Sequence, residues 1–375
     1  MSNFLHIVSF DIPLPADYGG VIDVWYKIKA LHRAGVKIIL HCWQYGSRKE
    51  VSELENYCEK VYYYRRNKYK NPFIGNIPYI VKTRTSKELC TRLLDDKFPI
   101  LFEGLHTTAP LGEVDFSDRK VIVRNHNIES SYYRHLGDKE SGYFRKSFFY
   151  HESKLLHAYE SVLSKADKVA AISPAENEIL SHDYNSVYIP AFHPNEEVGH
   201  IAEKKKDYCL YHGNLAVAEN DEAALFLVNQ VFNSIQTSLI IAGNKASSEL
   251  KEKCAGQKHI TLLEDLEVER FHDLIHHAAI NVLPTFQATG IKLKLLNALY
   301  QGGHCLVNSP MVKETGLEPL CVIADDPQIM QEEVQRLMKT PLSADAVKMR
   351  SNILTQKFSN DKSAADLMKV MFESP

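Results

Sequence analysis

Gly290, Lys294 and Asn297 recur at intervals of four and three in TGIKLKLLNALYQGG, a spacing that gathers them on one helix face. A strand-like run, NVLP, ends shortly before them, and small residues fill the gap. A helix that opens just after a strand leaves backbone N–H groups unpaired, and a lysine one turn further in adds positive charge; together they hold a phosphate. Lys292 lies about 200° round the helix from Lys294 at ~3.6 residues per turn, so both reach one phosphate only if the first turn is irregular. The alternative is a helix whose two lysines extend along its surface.

Other strand ends carry further candidates. PADYGGVIDVWYKIKALHRAG places Gly19 and Gly20 between an apolar run and a helix, which suits either a tight turn or a ligand lying against bare backbone. YHGNLAVAEN offers Gly213 and Asn214, but Glu219, Asp221 and Glu222 follow and would repel a phosphate placed there. Lys245 in IIAGNKASSEL follows another strand and is either a phosphate partner or a solvated surface lysine. LFEGLH sets Glu103 and His106 at a strand end, and VRNHNIES does the same with Arg124, His126 and Glu129. Histidine donates to a sugar hydroxyl or a departing oxygen and titrates near neutrality. Position alone distinguishes these two from the rest of the 17 histidines.

Several classes drop out. There is no H-E-x-x-H, EF-hand loop or D-x-D triplet, so no metal site is expected. G-x-G-x-x-G is missing after the first strand, and no Walker loop occurs anywhere, which removes the usual nicotinamide and ATPase readings. A net charge of -3 argues against a nucleic-acid binder. The seven cysteines are scattered without a C-x-x-C pair, as in a reduced compartment. The N-terminal apolar run is broken by His6 and Asp11, and no run approaches the ~20 apolar residues that span a bilayer. A cytoplasmic protein is expected, with at most a peripheral contact on the inner face of the membrane. YYYRRNKYKNPFIGNIPYIVKTRTSK, basic and aromatic, is either a solvated, partly packed face or such a contact.

Short β-branched runs alternate with amphipathic helices to position these residues. The strand-like runs are FLHIVSF, VKIILHC, KVYYY, PILFEG, KVIVRN, KVAAIS and SVYIP, then YCLYHG, SLIIAG, HITLLE, AINVLP, HCLV and CVIA. Such continuous apolar runs are the mark of parallel strands covered on both faces. Val24, Trp25, Ile28 and Leu31 form one helical stripe; Ala223, Ala224, Leu227, Val228 and Val231 form another. The alternation restarts after FHPNEEVGHIAEKKKD, so two doubly wound α/β domains facing a central cleft are expected: 1–192, 193–356, and a C-terminal helix, 357–375, packing back on the first.

In this order and spacing, PLPADYGGV, LFEGLH, VRNHNIES, AISPAENEIL, LIIAGNK, INVLPT and TGIKLKLLNALYQGGHCLVNSP resemble the family 4 glycosyltransferases, retaining enzymes of the GT-B fold. The resemblance runs end to end. It implies transfer of a hexose from a UDP- or GDP-linked donor, bound mainly by the second domain, to a glycan or lipid-linked acceptor on the first. No cofactor is implied, and the setting is polysaccharide biosynthesis. His106 falls where the family's histidine approaches the transferred sugar, and Lys294 and Lys292 on its basic positions. Gly290 and Ile291 fall on backbone that meets the diphosphate. Gly19 and Gly20 match its N-terminal glycine loop. Thr289 and Asn297 stand at the two acids of its E-x7-E pattern, while Asn214 and Glu219 replace its basic pair. A catalytically silent GT-B scaffold is therefore a rival, and a sugar-nucleotide epimerase built on Glu103 and His126 a third reading.

Overall fold

The computed structural model describes residues 3–199, 206–286 and 293–373. The chain divides into two compact units, one of 1–193 with 358–375 and the other of 194–357.

In the first unit, β1 (Phe4–Ser9), β2 (Lys37–Gln44), β3 (Lys60–Arg65), β4 (Ile100–Glu103), β5 (Val121–Asn125), β6 (Lys168–Ala171) and β7 (Ser186–Tyr188) form one sheet. Its order is β3-β2-β1-β4-β5-β6-β7, and every pair is parallel. Leu5, Ile7, Leu101, Ile122 and Ala170 bury one face and Val8, Ile100, Phe102, Val121 and Val123 the other, so the central strands read as unbroken apolar runs. The helix Gly19–Arg33 lays Val21, Val24, Trp25, Ile28 and Leu31 on the first face. The last helix, Asn360–Phe372, adds Ala364, Leu367 and Met371 to the same core. Asn360 anchors it: its Oδ1 accepts from the His193 N–H at 3.1 Å and its Nδ2 donates to the His193 carbonyl at 2.7 Å.

The second unit repeats the plan with β8 (Lys206–His212), β9 (Leu239–Ala242), β10 (Ile260–Leu263), β11 (Ala278–Val282), β12 (His304–Val307) and β13 (Val322–Ile323). The order is β10-β9-β8-β11-β12-β13, again all parallel. The expected stripe Ala223, Ala224, Leu227, Val228 and Val231 is fully buried. One detail departs from a plain helix: Ala218–Phe226 runs on into a π-helical turn, Leu227–Val231, closed by Phe232 N–H donating to Leu227 O at 2.8 Å. The wider turn lets Leu227, Val228, Val231 and Phe232 all point inward, each fully buried.

Both sheets therefore change direction of winding at one place, between β1 and β4 and between β8 and β11. Ligands of open parallel sheets bind beyond the carboxyl ends of the strands at such a switch point. Just beyond those strands lie Gly19 and Gly20, which open the first helix, and His106 in one unit, and Gly213 and Asn214 in the other.

Candidate functional site

In the first unit the chain leaves β4 through Gly104, whose φ of +72° favours glycine and where an added Cβ would come within 2.9 Å of His106 Nδ1. This turn seats His106 in the short helical turn Leu105–Thr107, with its ring centroid 5.5 Å from that of Phe10. His106 Nδ1 is buried without a hydrogen-bond partner among the described residues, and Glu129 Oε1 lies 4.0 Å away. Burial, reinforced by the charges of Arg84, His126 and Arg66, keeps the imidazole well below its ordinary pKa, so it is neutral at pH 7. Glu129 is pushed up to about 8, first by burial and then by Glu176 and Glu160, against the pull of Asn127 and Arg84. A neutral carboxyl thus faces a neutral imidazole, which suits neutral hydroxyl groups.

Gly20 has an internal reason to be glycine: a Cβ there would meet Phe10 Cζ at 2.7 Å. The helix it opens carries no side-chain cap and no acidic residue in its first turn.

Glu103 and His126 belong to a buried charge network. Lys27 Nζ donates to Glu103 Oε1 at 2.6 Å and to Asp23 Oδ2 at 2.8 Å, while His126 Nε2 lies 2.9 Å from Glu103 Oε2. Arg124 pairs with Asp23 Oδ1 at 3.0 Å and donates to the carbonyls of Ile189 and Pro190. Burial alone would raise the Asp23 pKa, but Arg124, Lys27 and His126 together hold it well below the carboxylate range. Glu103 is likewise held down, against burial, by Lys27 and His126. Asp23, Glu103 and His126 could by spacing ligate a metal, but the Lys27 ammonium bonds both carboxylates, and a second cation would meet its charge. Asp23 and Lys27 escape a sequence reading because they sit within the first helix pattern; their one signal is an i,i+4 charge pair beside the stripe Val24 and Ile28.

In the second unit Lys294 lies on the helix Leu293–Gln301. Its Nζ donates to Asn220 Oδ1 at 2.9 Å and to Tyr211 Oη at 3.3 Å, and stands 5.0 Å from the centre of the Tyr211 ring. Tyr211 Oη in turn donates to the Asn220 carbonyl, and Asn220 Nδ2 donates to the Asn214 carbonyl. The loop after β8 and the lysine are thereby one hydrogen-bonded unit. Next to it, His212 is driven down to about 3 by burial and by the charges of Lys294 and His272, so it stays neutral.

The remaining candidates are placed as follows. Asn214 is exposed and its Oδ1 accepts from Ala216 N–H at 3.1 Å, a turn within its own loop. Gly213 leaves room for the Asn220 amide, 3.2 Å from an added Cβ. Lys245 is exposed on the loop after β9 with φ of +62°. Asn297 Oδ1 accepts from Asn195 Nδ2 at 2.7 Å, so its carbonyl oxygen is engaged. Glu219 is buried and Asp221 accepts from Ser247 N–H. Thr289, Gly290, Ile291 and Lys292 lie outside the described residues.

The basic and aromatic segment exposes Tyr69, Phe73, Ile74 and Ile77, and the helix Tyr143–Tyr159 begins with Tyr143 and Phe144, 80% and 85% exposed. Phe73 packs its ring 6.4 Å from Phe148 and 5.3 Å from His151 of that helix, making the two stretches neighbours.

No family model matches the chain. A Klebsiella pneumoniae protein described as "Uncharacterized 44.6 kDa protein in cps region" is 27% identical over 317 residues, 78% of this chain and 79% of its own length. TarM superposes with a TM-score of 0.71 at 8% identity, covering 100% of this chain and 99% of that one. An alpha,alpha-trehalose-phosphate synthase (UDP-forming) from Burkholderia xenovorans, in complex with glucose-6-phosphate, gives 0.65 at 10% identity, over 98% and 99% of the two chains. AviGT4, a glycosyltransferase involved in avilamycin A biosynthesis, gives 0.57 at 12% identity, over 99% and 98%. The chain has the GT-B fold of two parallel-sheet α/β domains, as its sequence led one to expect.

Proposed function

We propose that the protein is a retaining glycosyltransferase of family 4 type, moving a hexose from a UDP- or GDP-linked donor to a glycan or lipid-linked sugar without a metal. The observation that carries this reading is the ammonium of Lys294, held by Tyr211 and Asn220 at the switch point of the second sheet. Breaking the anomeric bond leaves negative charge on the departing diphosphate. A fixed cation stabilises that charge as it develops, without reorganising. In the other unit the neutral His106 orients the sugar through a hydroxyl, and the acceptor oxygen attacks the face that the diphosphate leaves. The absence of a D-x-D triplet and the place of Lys27 between two carboxylates support a metal-free reaction. The enzyme works in the cytoplasm, and Tyr69, Phe73, Tyr143 and Phe144 amid basic residues suit peripheral contact with an anionic membrane.

A panel of nucleotide sugars with radiolabelled hexose tests the reading. Transfer or slow donor hydrolysis by the wild type, lost in Lys294→Ala, supports it; turnover from none of them favours a silent GT-B scaffold. The engaged Oδ1 atoms of Asn214 and Asn297 are the observation on the scaffold's side. The epimerase reading loses its carboxylate and histidine, since Glu103 and His126 are committed to Lys27 and to each other.

A further inference from the structure

A buried guanidinium almost always has a carboxylate beside it, because taking its charge out of water is costly unless an anion compensates. Arg84 is 4% exposed, and among the described residues no carboxylate lies within ion-pair distance of it. Its Nε donates to the Phe10 carbonyl at 3.0 Å and its Nη1 to the Ile80 carbonyl at 2.8 Å. Its guanidinium carbon lies 6.0 Å from the Tyr45 ring centre, and that of Arg66 lies 4.8 Å from the same centre. Arg66 donates to Thr83 Oγ1 and also has no carboxylate in reach among the described residues.

The surroundings offset this pair only in part. Asp11, on the loop after β1, attracts Arg84, but it is shared: Arg48 Nε lies 3.2 Å from it and the Tyr18 hydroxyl donates to it at 2.9 Å. Glu152 Oε1 is taken by the Ile80 N–H, and Glu129 is protonated at neutral pH. From Lys60 to Lys87 the sequence holds eight lysines and arginines and no acid. Burial, and then the Arg66 charge, push the Arg84 guanidinium down to about 10, so it remains a cation at neutral pH and feels its neighbour. Both charges also reach the His106 imidazole, whose ring packs on Phe10, the residue that Arg84 holds.

We propose that Arg66 and Arg84, converging on Tyr45 beside His106, bind a phosphate group of the acceptor substrate. A phosphate dianion balances two guanidiniums, whereas one carboxylate leaves a cation over, and the Nη hydrogens that those bonds leave over suit its oxygens. The site rests on the reading of the first unit as the acceptor side. It narrows the acceptor to a sugar carrying a phosphate or diphosphate close to the hydroxyl that reacts. The same chemistry is offered by a soluble sugar phosphate and by a lipid-linked sugar diphosphate.

Calorimetry with inorganic pyrophosphate on Lys294→Ala protein tests the site apart from transfer and apart from the second unit. One binding event should remain in that variant. Adding Arg66→Gln, or Arg84→Lys where a neutral side chain fails to fold, should weaken it about tenfold or more, the loss expected for a charge-assisted hydrogen bond. No heat in Lys294→Ala, or unchanged affinity after the arginine substitutions, overturns the proposal. In competition, a sugar monophosphate and a short-chain prenyl-diphosphate sugar are each compared with the free sugar. The phosphorylated form that displaces pyrophosphate at lower concentration names the source, and equal competition by the free sugar overturns the site. Pyrophosphate bound at Arg66 in a protein that transfers from no donor leaves the anion site standing and sinks the transferase reading instead.

Discussion

Lys27 Nζ and Glu103 Oε1 lie 2.6 Å apart with neither side chain exposed to solvent, and the partners are 76 residues apart in sequence. The bond ties the first helix to the end of β4, one residue before the glycine that seats His106. Removing one partner of a buried pair leaves an uncompensated charge, and Lys27→Met leaves Asp23 and Glu103 facing each other. The expected loss is about 3–5 kcal/mol of folding stability, read from the urea midpoint at pH 7. A midpoint unchanged from the wild type would mean that the pair holds nothing together.

Glu129 gives a pH signature. Its folded pKa of about 8 stands above the ordinary 4.5, so the folded state binds the proton more tightly. A raised pKa contributes stability that is full below the unfolded value and is lost as pH climbs through the folded one. Between pH 4.5 and about 8 the wild type should therefore lose stability relative to Glu129→Gln, which cannot ionise. Parallel stability curves for the two proteins across that window would show that Glu129 is charged in the fold. His212 works in the opposite sense: its depressed value, about 3, withdraws stability as pH falls below 6.5.

The sheets were legible because buried parallel strands are near-continuous apolar runs, and each of the 13 strands among the described residues coincides with one such run in the sequence. From strand order follow the switch points and the loops that matter. The charge network was not legible, since hydrophobic periodicity reports only neighbours within a helix or strand. Arg124 meets Asp23 across 101 residues, through a crossover that no local pattern encodes. Which residues of the basic run pack was hidden for a related reason: the run reads as a solvated, partly packed face, and it is Arg84 whose guanidinium turns inward to two carbonyls. Gly20, which the sequence left open to a turn or a ligand, has a packing reason of its own in the nearness of Phe10.

Lys294→Ala should lower turnover by roughly 10²–10³, the usual cost of deleting one preorganised charge partner of a leaving group. Asn220→Ala leaves the ammonium but frees it from one of its tethers, so a smaller loss, about tenfold, is expected. Circular dichroism should show both folded, because neither side chain belongs to the apolar core. Near-normal turnover in Lys294→Ala would remove the lysine from the mechanism.

The exposed rings of Tyr143 and Phe144 stand one turn before Phe148, against which Phe73 of the acid-free segment packs. Apolar side chains entering the headgroup region and cations above it act together, each cation contributing about 1 kcal/mol at an anionic surface. Vesicles rich in phosphatidylglycerol should therefore pellet the protein at low salt, and vesicles of phosphatidylcholine should not. Replacing Tyr143 and Phe144 by serine removes the inserted area but leaves every charge, so pelleting should fall while its salt dependence persists. Replacing Lys68 and Lys70 by glutamine should do the reverse and flatten the salt dependence. Protein that stays in the supernatant with anionic vesicles at low salt excludes this surface as a membrane contact.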